Sequence, residues 1–331
     1  MSGINGSDAK SELPRSAGDS PLFSIVIPAL NAGPFIRSAL ESAAAQTFRS
    51  FEIIVVDDGS TDDTLGIAQE VLQSRALTWQ VVARPEGQPK GVAGARNYGV
   101  QLARGTWVAF LDADDLFEST KLERCAKVVA NCEGEPGAIH HSARYFDHET
   151  GDVLDASSPR PGTDDDLLVT LLQRNCVTTS TTVVHRECLE ETQGFDTRLN
   201  GVEDYWLWIR IAKRWKWRYI AEPLTRYRLR AGSLMGRRPF EYYVTQFTAL
   251  LAVAESSGEL SAEEMATLRR SVLHETLRFF AGKSTSQDGF PALLPGALQL
   301  ARTGYAGSAA SLIYRHFRAQ ALRWMLQSRT S

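Results

Sequence analysis

Residues 106–115 read TWVAFLDADD, an apolar run that breaks off into Asp112, Asp114 and Asp115. Six consecutive β-prone or apolar residues with no polar alternation predict a strand buried on both faces over 106–111. Moving outward, residues 51–56 (FEIIVV) repeat the pattern and end in Asp57-Asp58-Gly59-Ser60, and residues 23–27 (FSIVI) repeat it and end at Pro28. Residues 79–83 supply a fourth such segment. Between them lie helical periodicities. Asn31 is expected to cap a helix carrying Phe35, Ile36, Ala39, Leu40 and Ala43 on one face. Residues 62–74 place Leu65, Ala68, Val71 and Leu72 at helical spacing, and residues 93–103 form a third, glycine-containing helix. Strands alternating with helices specify an α/β fold: a Rossmann-like, mostly parallel sheet flanked by helices. Ligands of such sheets bind beyond the carboxyl ends of the strands. Three of those ends, at Pro28, Asp57 and Asp112, meet polar sequence.

The 331 residues suggest about two domains at roughly 150 residues each. With 43% hydrophobic and 23% charged residues, the composition is that of a globular protein. A balance of 36 basic against 39 acidic side chains gives no global attraction to nucleic acid, and none is expected as a partner. Cys125, Cys132, Cys176 and Cys188 match neither a CxxC metal site nor a disulfide framework, so reduced thiols in a cytoplasmic protein are expected. No apolar run reaches the ~18 residues of a membrane span, and no signal-peptide core is present. Residues 1–21, rich in Ser, Gly, Asp and Lys, are expected to be a disordered tail. Residues 22–238 would then be the main domain, divided into a ligand-binding half (22–115) and a second half (116–238), with a helical C-terminal appendix at 239–331.

Two acidic motifs carry the chemistry. An Asp-x-Asp behind a buried strand, Asp112-Ala113-Asp114, sets hard carboxylate oxygens where Mg²⁺ or Mn²⁺ could bridge phosphates. Alone it also fits a solvated acidic turn. Glu203-Asp204 opens an aromatic amphipathic helix, Tyr205-Trp206-Leu207-Trp208. Acids in a first turn complement the helix dipole, and one of them could equally serve as a general base. Asp57 and Asp58 could accept hydrogen bonds from a base or a ribose, or simply form a turn. Arg96-Asn97, expected to begin a turn into the fourth strand, offers a planar cation for a phosphate or for orienting an aspartate. Residues 210–238 hold ten Lys or Arg against the single acid Glu222, a basic rim suited to an anionic leaving group or a solvated face.

These pieces resemble the family 2 glycosyltransferases of the GT-A fold. The resemblance rests on Phe23–Pro28 with Asn31, Gln46-Thr47, Glu52–Ser60, Gly94-Ala95-Arg96-Asn97, Gly105, Phe110–Asp115, Gly194-Phe195-Asp196 and Glu203-Asp204, in family order over residues 22–235. It implies a nucleotide-diphospho-sugar donor bound by the first half and an acceptor, a glycan or a lipid-linked one, shaped by the second. By motif, Pro28 and Asp58 would line the nucleoside together with Ala29, Asn31, Asp57 and Ala113, with Arg96 nearby. Asp112 would face the ribose, Asp114 would ligate Mg²⁺ or Mn²⁺ on the diphosphate, and Asp204 would be the catalytic base with Glu203 beside it. The implied reaction is direct displacement with inversion. Two positions depart from the pattern. Leu30 stands where many relatives carry an aromatic residue, and Tyr227-Arg228-Leu229-Arg230 puts Arg230 where a His is common. Arginine cannot ligate a metal but can pair with the diphosphate.

A nucleotidyltransferase or a catalytically silent nucleotide-sugar-binding scaffold are the rival readings. A dinucleotide-dependent dehydrogenase is disfavoured because no GxGxxG follows the first strand. The stretch between Ala309 and Gln327 mixes Trp324, Phe317 and Leu residues with Arg315, Arg318 and Arg323. It could pack on the domain or lie in an anionic membrane surface, which would make the protein peripheral on the cytoplasmic face.

Overall fold

The computed structural model describes residues 20–132, 134, 136–154, 167–230 and 240–283. The expected tail (apart from 20–21) and the stretch 309–327 lie outside these residues. Among the described residues no helix is long and apolar enough to cross a membrane.

The predicted alternation is present: β1 (Phe23–Ala29), α1 (Gly33–Ala44), β2 (Phe51–Asp57), α2 (Thr64–Gln73), β3 (Thr78–Ala83), α3 (Val92–Leu102) and β4 (Trp107–Phe110). These four strands lie in the order β3-β2-β1-β4 and all pair in parallel. β1, β2 and β4 are buried along their whole length, whereas β3, at the edge, is only partly covered. Successive residues of β1 and β2 serve opposite faces, as the pleat requires. Phe23, Ile25, Ile27, Ile53 and Val55 join a core with α1 and α2, while Val26, Ile54 and Val56 join another with α3. Gly99 of α3 lies against Val26, so close that a Cβ there would fall 2.4 Å from a Val26 methyl.

The second half extends the sheet with β5 (Leu116–Phe117), α4 (Lys121–Asn131), β6 (Ala138–Asp147), β7 (Val153–Leu154), α5 (Leu167–Gln173), a 3₁₀ turn (Thr179–Thr181), β8 (Thr182–His185), α6 (Arg186–Glu191), α7 (Glu203–Arg214) and β9 (Trp217–Leu229). Here the pairing is mixed. β8 is antiparallel to both β4 and β6, β9 is parallel to β6, and β5 is antiparallel to β9. Pro223 lies within β9, and its missing N–H coincides with a register shift opposite His141 and Ser142. β9 and the two short strands have no clear sequence signature, because polar and apolar residues along 217–229 follow neither period cleanly.

Two further helices, α8 (Phe240–Ser257) and α9 (Ala262–Lys283), cover the described part of the expected appendix. They share one core with the sheet: Leu250, Val253, Ala254, Leu268 and Val272 belong to the same buried cluster as Val26, Phe110 and Trp208. The basic segment after Asp204 explains itself partly at this junction. Arg210 and Arg214 pair with Glu259, at 2.9 and 2.8 Å, and Lys213 pairs with Glu264 at 2.6 Å. The expected basic rim is thus divided, its first part holding the C-terminal helices rather than facing a leaving group. All four cysteine thiols are free, and Cys125, Cys176 and Cys188 are buried.

Candidate active site

The loops beyond β1 and β2 are joined by side chains taken from each other's sequence. Asn31 N–H donates to Ser60 Oγ (2.9 Å), Asn31 Oδ1 accepts from Thr61 N–H (2.8 Å), and Gly33 N–H donates to Asp62 Oδ2 (3.0 Å). Asn31 therefore does not cap α1. It adopts a left-handed conformation, φ 49°, and ties the two loops together, while Ala32 occupies the cap position. A short amide side chain tolerates that conformation better than a branched one. Leu30, just before it, is 55% exposed.

Asp57 Oδ2 accepts from the N–H groups of Gly59 (3.1 Å) and Ser60 (3.0 Å), the turn that ends β2. Its other oxygen, Oδ1, is buried without a partner among the described residues. Asp58 is engaged by Arg84 and by the Gly91 N–H (2.8 Å), so the turn ahead of α3 is anchored to the end of β2. Arg84 stands outside every motif of the sequence, and only its contact with Asp58 gives it a place in the site.

Beyond β4 the chain turns through Asp112-Ala113-Asp114-Asp115, with Asp115 N–H donating to Asp112 O (3.0 Å) and Asp112 N–H to Ser180 Oγ (3.0 Å). Ser180 belongs to the hydroxyl-rich run Thr178–Thr182. The Ser180 carbonyl accepts from Thr225 Oγ1 (2.8 Å) and from Lys121 Nζ (2.8 Å), a fully buried ammonium 3.5 Å from the Phe117 ring centroid. Burial pulls the Lys121 pKa down to about 7. Asp115 is buried, and burial together with Asp112 and Asp114 raises its pKa well above the usual range. Its Oδ1 accepts from the Arg228 N–H at 3.0 Å.

Arg96 joins the two acidic motifs. It lies within α3 rather than in a turn into β4, is 4% exposed, and donates from Nη2 to Asp112 Oδ1 (2.7 Å) and from Nη1 to Glu203 Oε1 (2.8 Å). Burial opposes its charge, but the two carboxylates outweigh that and raise its pKa above the usual value. Its neighbour Asn97 clamps the Gly194-Phe195 segment. Nδ2 donates to Phe195 O (2.8 Å), and Oδ1 accepts from Phe195 N–H (2.9 Å). Gly194, at φ 68°, has space for no side chain there, since a Cβ would fall 2.4 Å from Asn97 Oδ1. Phe195 then packs edge-on against Phe110 and Trp208, with ring centroids 5.2 and 5.9 Å apart. Each such buried side chain contributes about 1.5–3 kcal/mol, which fixes α7 on the sheet.

At the start of α7 the two acids diverge. Glu203 is 4% exposed, with Oε1 held by Arg96 and Oε2 by the Gly201 N–H. Asp204 is half-buried. Oδ1 accepts from the Tyr205 N–H (2.6 Å) and Oδ2 from Thr179 Oγ1 (3.2 Å). Burial, then the neighbouring Glu203 charge, pushes the Asp204 pKa up to about 7, against the opposing pull of Arg96.

Arg230, just beyond β9, donates from Nη2 (2.7 Å) and Nε (3.0 Å) to Asp114 Oδ2, and its guanidinium carbon lies 4.7 Å from the Phe35 ring centroid. Arg228 donates to the Asp114 carbonyl (2.7 Å) and lies between the rings of Phe35 and Phe146, 5.4 and 4.7 Å from their centroids. Burial and Asp112 raise the Asp114 pKa while Arg230 opposes the rise. Among the described residues, the Asp112 and Asp114 carboxylates bond through one oxygen each, Oδ1 and Oδ2. Among the described residues, no group of three or more His, Cys, Asp or Glu side chains forms a metal cage. Hard carboxylate oxygens with few protein ligands suit a Mg²⁺- or Mn²⁺-type ion whose remaining ligands are phosphate oxygens and water, so the donor set fits that ion.

The family model for Glycosyl transferase family 2 matches residues 24–192. The chain is 31% identical over 235 residues to the UDP-Glc:alpha-D-GlcNAc-diphosphoundecaprenol beta-1,3-glucosyltransferase WfaP of Escherichia coli, covering 70% of this chain and 86% of that protein. It is 33% identical over 215 residues to the amylovoran biosynthesis glycosyltransferase AmsB of Erwinia amylovora, covering 62% and 69%. In fold it is similar to S. aureus TarS 1-349 in complex with UDP-GlcNAc, with a TM-score of 0.65 at 18% identity over 90% of this chain and 92% of that one. It is likewise similar to the mannosyltransferase PcManGT of Pyrobaculum calidifontis, in complex with GDP-Man and Mn2+, with a TM-score of 0.57 at 18% identity over 91% and 88%.

Proposed function

The chain belongs to glycosyl transferase family 2 and is a glycosyltransferase, and we propose that it transfers a sugar from a nucleotide-diphospho-sugar to a hydroxyl of a lipid-linked or polysaccharide acceptor, with inversion. The observation that carries this reading is the Arg96 bridge, which links Asp112 of one acidic motif to Glu203 of the other and so makes them one site. The diphosphoundecaprenol acceptor in the name of WfaP, and amylovoran biosynthesis in that of AmsB, support an acceptor of this class.

Each residue then has a role. Pro28, Ala29, Asn31, Asp57, Asp58 and Ala113 form the nucleoside wall, where Asp57 Oδ1 is a buried acceptor for a base N–H. Asp112, oriented by Arg96, faces the ribose. Asp114 would hold Mg²⁺ or Mn²⁺, which when bound would neutralise charge on the departing diphosphate. Arg230 pairs with that diphosphate. Asp204 takes the proton from the attacking acceptor hydroxyl, and a carboxylate titrating near neutrality suits that task. Glu203, with both oxygens engaged, positions Arg96 rather than touching substrate.

Two measurements test this. Melting shifts with UDP-, GDP- and dTDP-sugars should reveal one donor that stabilises the protein by about 2.7 kcal/mol at 100 times its dissociation constant. Asp114→Asn should erase the part of that shift that depends on Mn²⁺; an unchanged Mn²⁺ dependence removes Asp114 from the role. The pH profile is the second. Because Asp204 acts ionised and its pKa is raised to about 7, kcat/KM should fall about tenfold per pH unit below that value. A profile flat down to pH 5 contradicts Asp204 as base.

A further inference from the structure

We infer that Arg230 is a built-in counter-ion for Asp114, so that a divalent cation enters this site together with a nucleoside diphosphate and binds weakly without it. The inference rests on Asp114 as the metal-binding carboxylate proposed above and adds an order to the binding. Both Nε and Nη2 of Arg230 converge on the single oxygen Oδ2 of Asp114, at 3.0 and 2.7 Å. The guanidinium lies 4.7 Å from the centroid of Phe35, so the cation is held by a ring as well as by an acid. Arg228, itself held by the Asp114 carbonyl and flanked by Phe35 and Phe146, adds a second positive charge beside the first.

A free cation approaching Asp114 therefore meets a carboxylate already neutralised, with a fixed positive charge on one of its oxygens. Like charges sharing one carboxylate repel, and breaking the pair leaves the guanidinium without its anion. A diphosphate removes both penalties at once. It gives the guanidinium a bidentate partner in exchange for Asp114, and it carries phosphate oxygens as further ligands for the ion. Linkage makes the effect reciprocal: if the diphosphate strengthens cation binding, the cation strengthens diphosphate binding by the same factor.

The experiment titrates Mn²⁺ into full-length protein, with and without saturating UDP (or GDP, whichever shifts the melting temperature), following the electron paramagnetic resonance signal of free Mn²⁺. Wild type should bind Mn²⁺ weakly alone and tightly with nucleotide. Arg230→Gln should bind Mn²⁺ alone about ten- to hundredfold more tightly than wild type, the worth of one charge-assisted hydrogen-bonded pair, and should lose much of the coupling to nucleotide. Arg230→Lys, which keeps the charge and loses the fork, should fall between them. Equal affinities of wild type and Arg230→Gln for Mn²⁺ alone overturn the inference. Asp114→Asn separates the two levels. If it still binds Mn²⁺ with nucleotide as wild type does, the underlying assignment of Asp114 fails; if it does not, only the Arg230 comparison decides.

Discussion

Asp204→Asn is expected to leave donor binding within a factor of a few of wild type and to lower kcat by about 10²–10⁴-fold, the worth of a general base. The substitution is nearly isosteric. Asn can still accept from the Tyr205 N–H through Oδ1 and exchange a hydrogen bond with Thr179. What it removes is the charge, and that has a second, independent consequence. The Asp204 pKa rises from 3.8 in the unfolded chain to about 7 in the fold, so the ionised form is disfavoured by folding. The cost is complete above about pH 7, shrinks as pH falls through the interval between the two values, and vanishes below 3.8. Asp204→Asn should therefore melt higher than wild type at pH 8, with the difference closing toward pH 4. Urea or thermal melts across that range check the stability, and single-turnover rates with donor in excess check the chemistry. A variant that keeps full turnover removes Asp204 from the role.

Arg96→Met is expected to have the largest effect on stability, a loss of about 3–5 kcal/mol, because it strands Glu203 as a buried charge. Against the 5–15 kcal/mol typical of folded domains this is a large share. Turnover should fall to background as well, since Asp112 and the start of α7 lose their shared anchor. A double variant tells the two losses apart. Arg96→Met with Glu203→Leu removes both buried charges and leaves Asp112, whose side chain is 30% exposed, to water. It should recover much of the stability in urea titrations and none of the activity. Recovery of both would mean that the bridge serves folding alone.

The parallel half of the fold is legible because its strands are buried on both faces: residues 23–27, 51–56 and 106–111 are largely apolar runs whose carboxyl ends coincide with the site, and Ser24 and Glu52, the polar residues within the first two, bond to each other. Helical periodicity is equally plain for α1 and α7. What escaped is what depends on tertiary pairing. Asn31 has the composition of a helix cap, yet its loop is claimed by Ser60 and Thr61 from another connection. Thr179 and Ser180 carry no signal in sequence, because hydroxyl residues are neutral between turn and sheet; only their positions beside Asp204 and Asp112 give them a role. The basic segment after Asp204 had two readings, and Glu259 and Glu264, some fifty positions downstream in sequence, decide for Arg210, Lys213 and Arg214. Arg230 was marked by its departure from a pattern, but its pairing with Asp114 had no signal in either residue's neighbourhood.

The loop ahead of α7 is gripped from the C-terminal side: Tyr242 Oη donates to the Asn200 carbonyl (2.7 Å), and Gln246 Oε1 accepts from the Asn200 N–H (2.8 Å). In evolutionary terms this makes α8 a poor cassette. Relatives that recombine within this region would inherit a new seat for Glu203 and Asp204 along with the new helix, so a productive crossover has to carry the acid pair and its brace together.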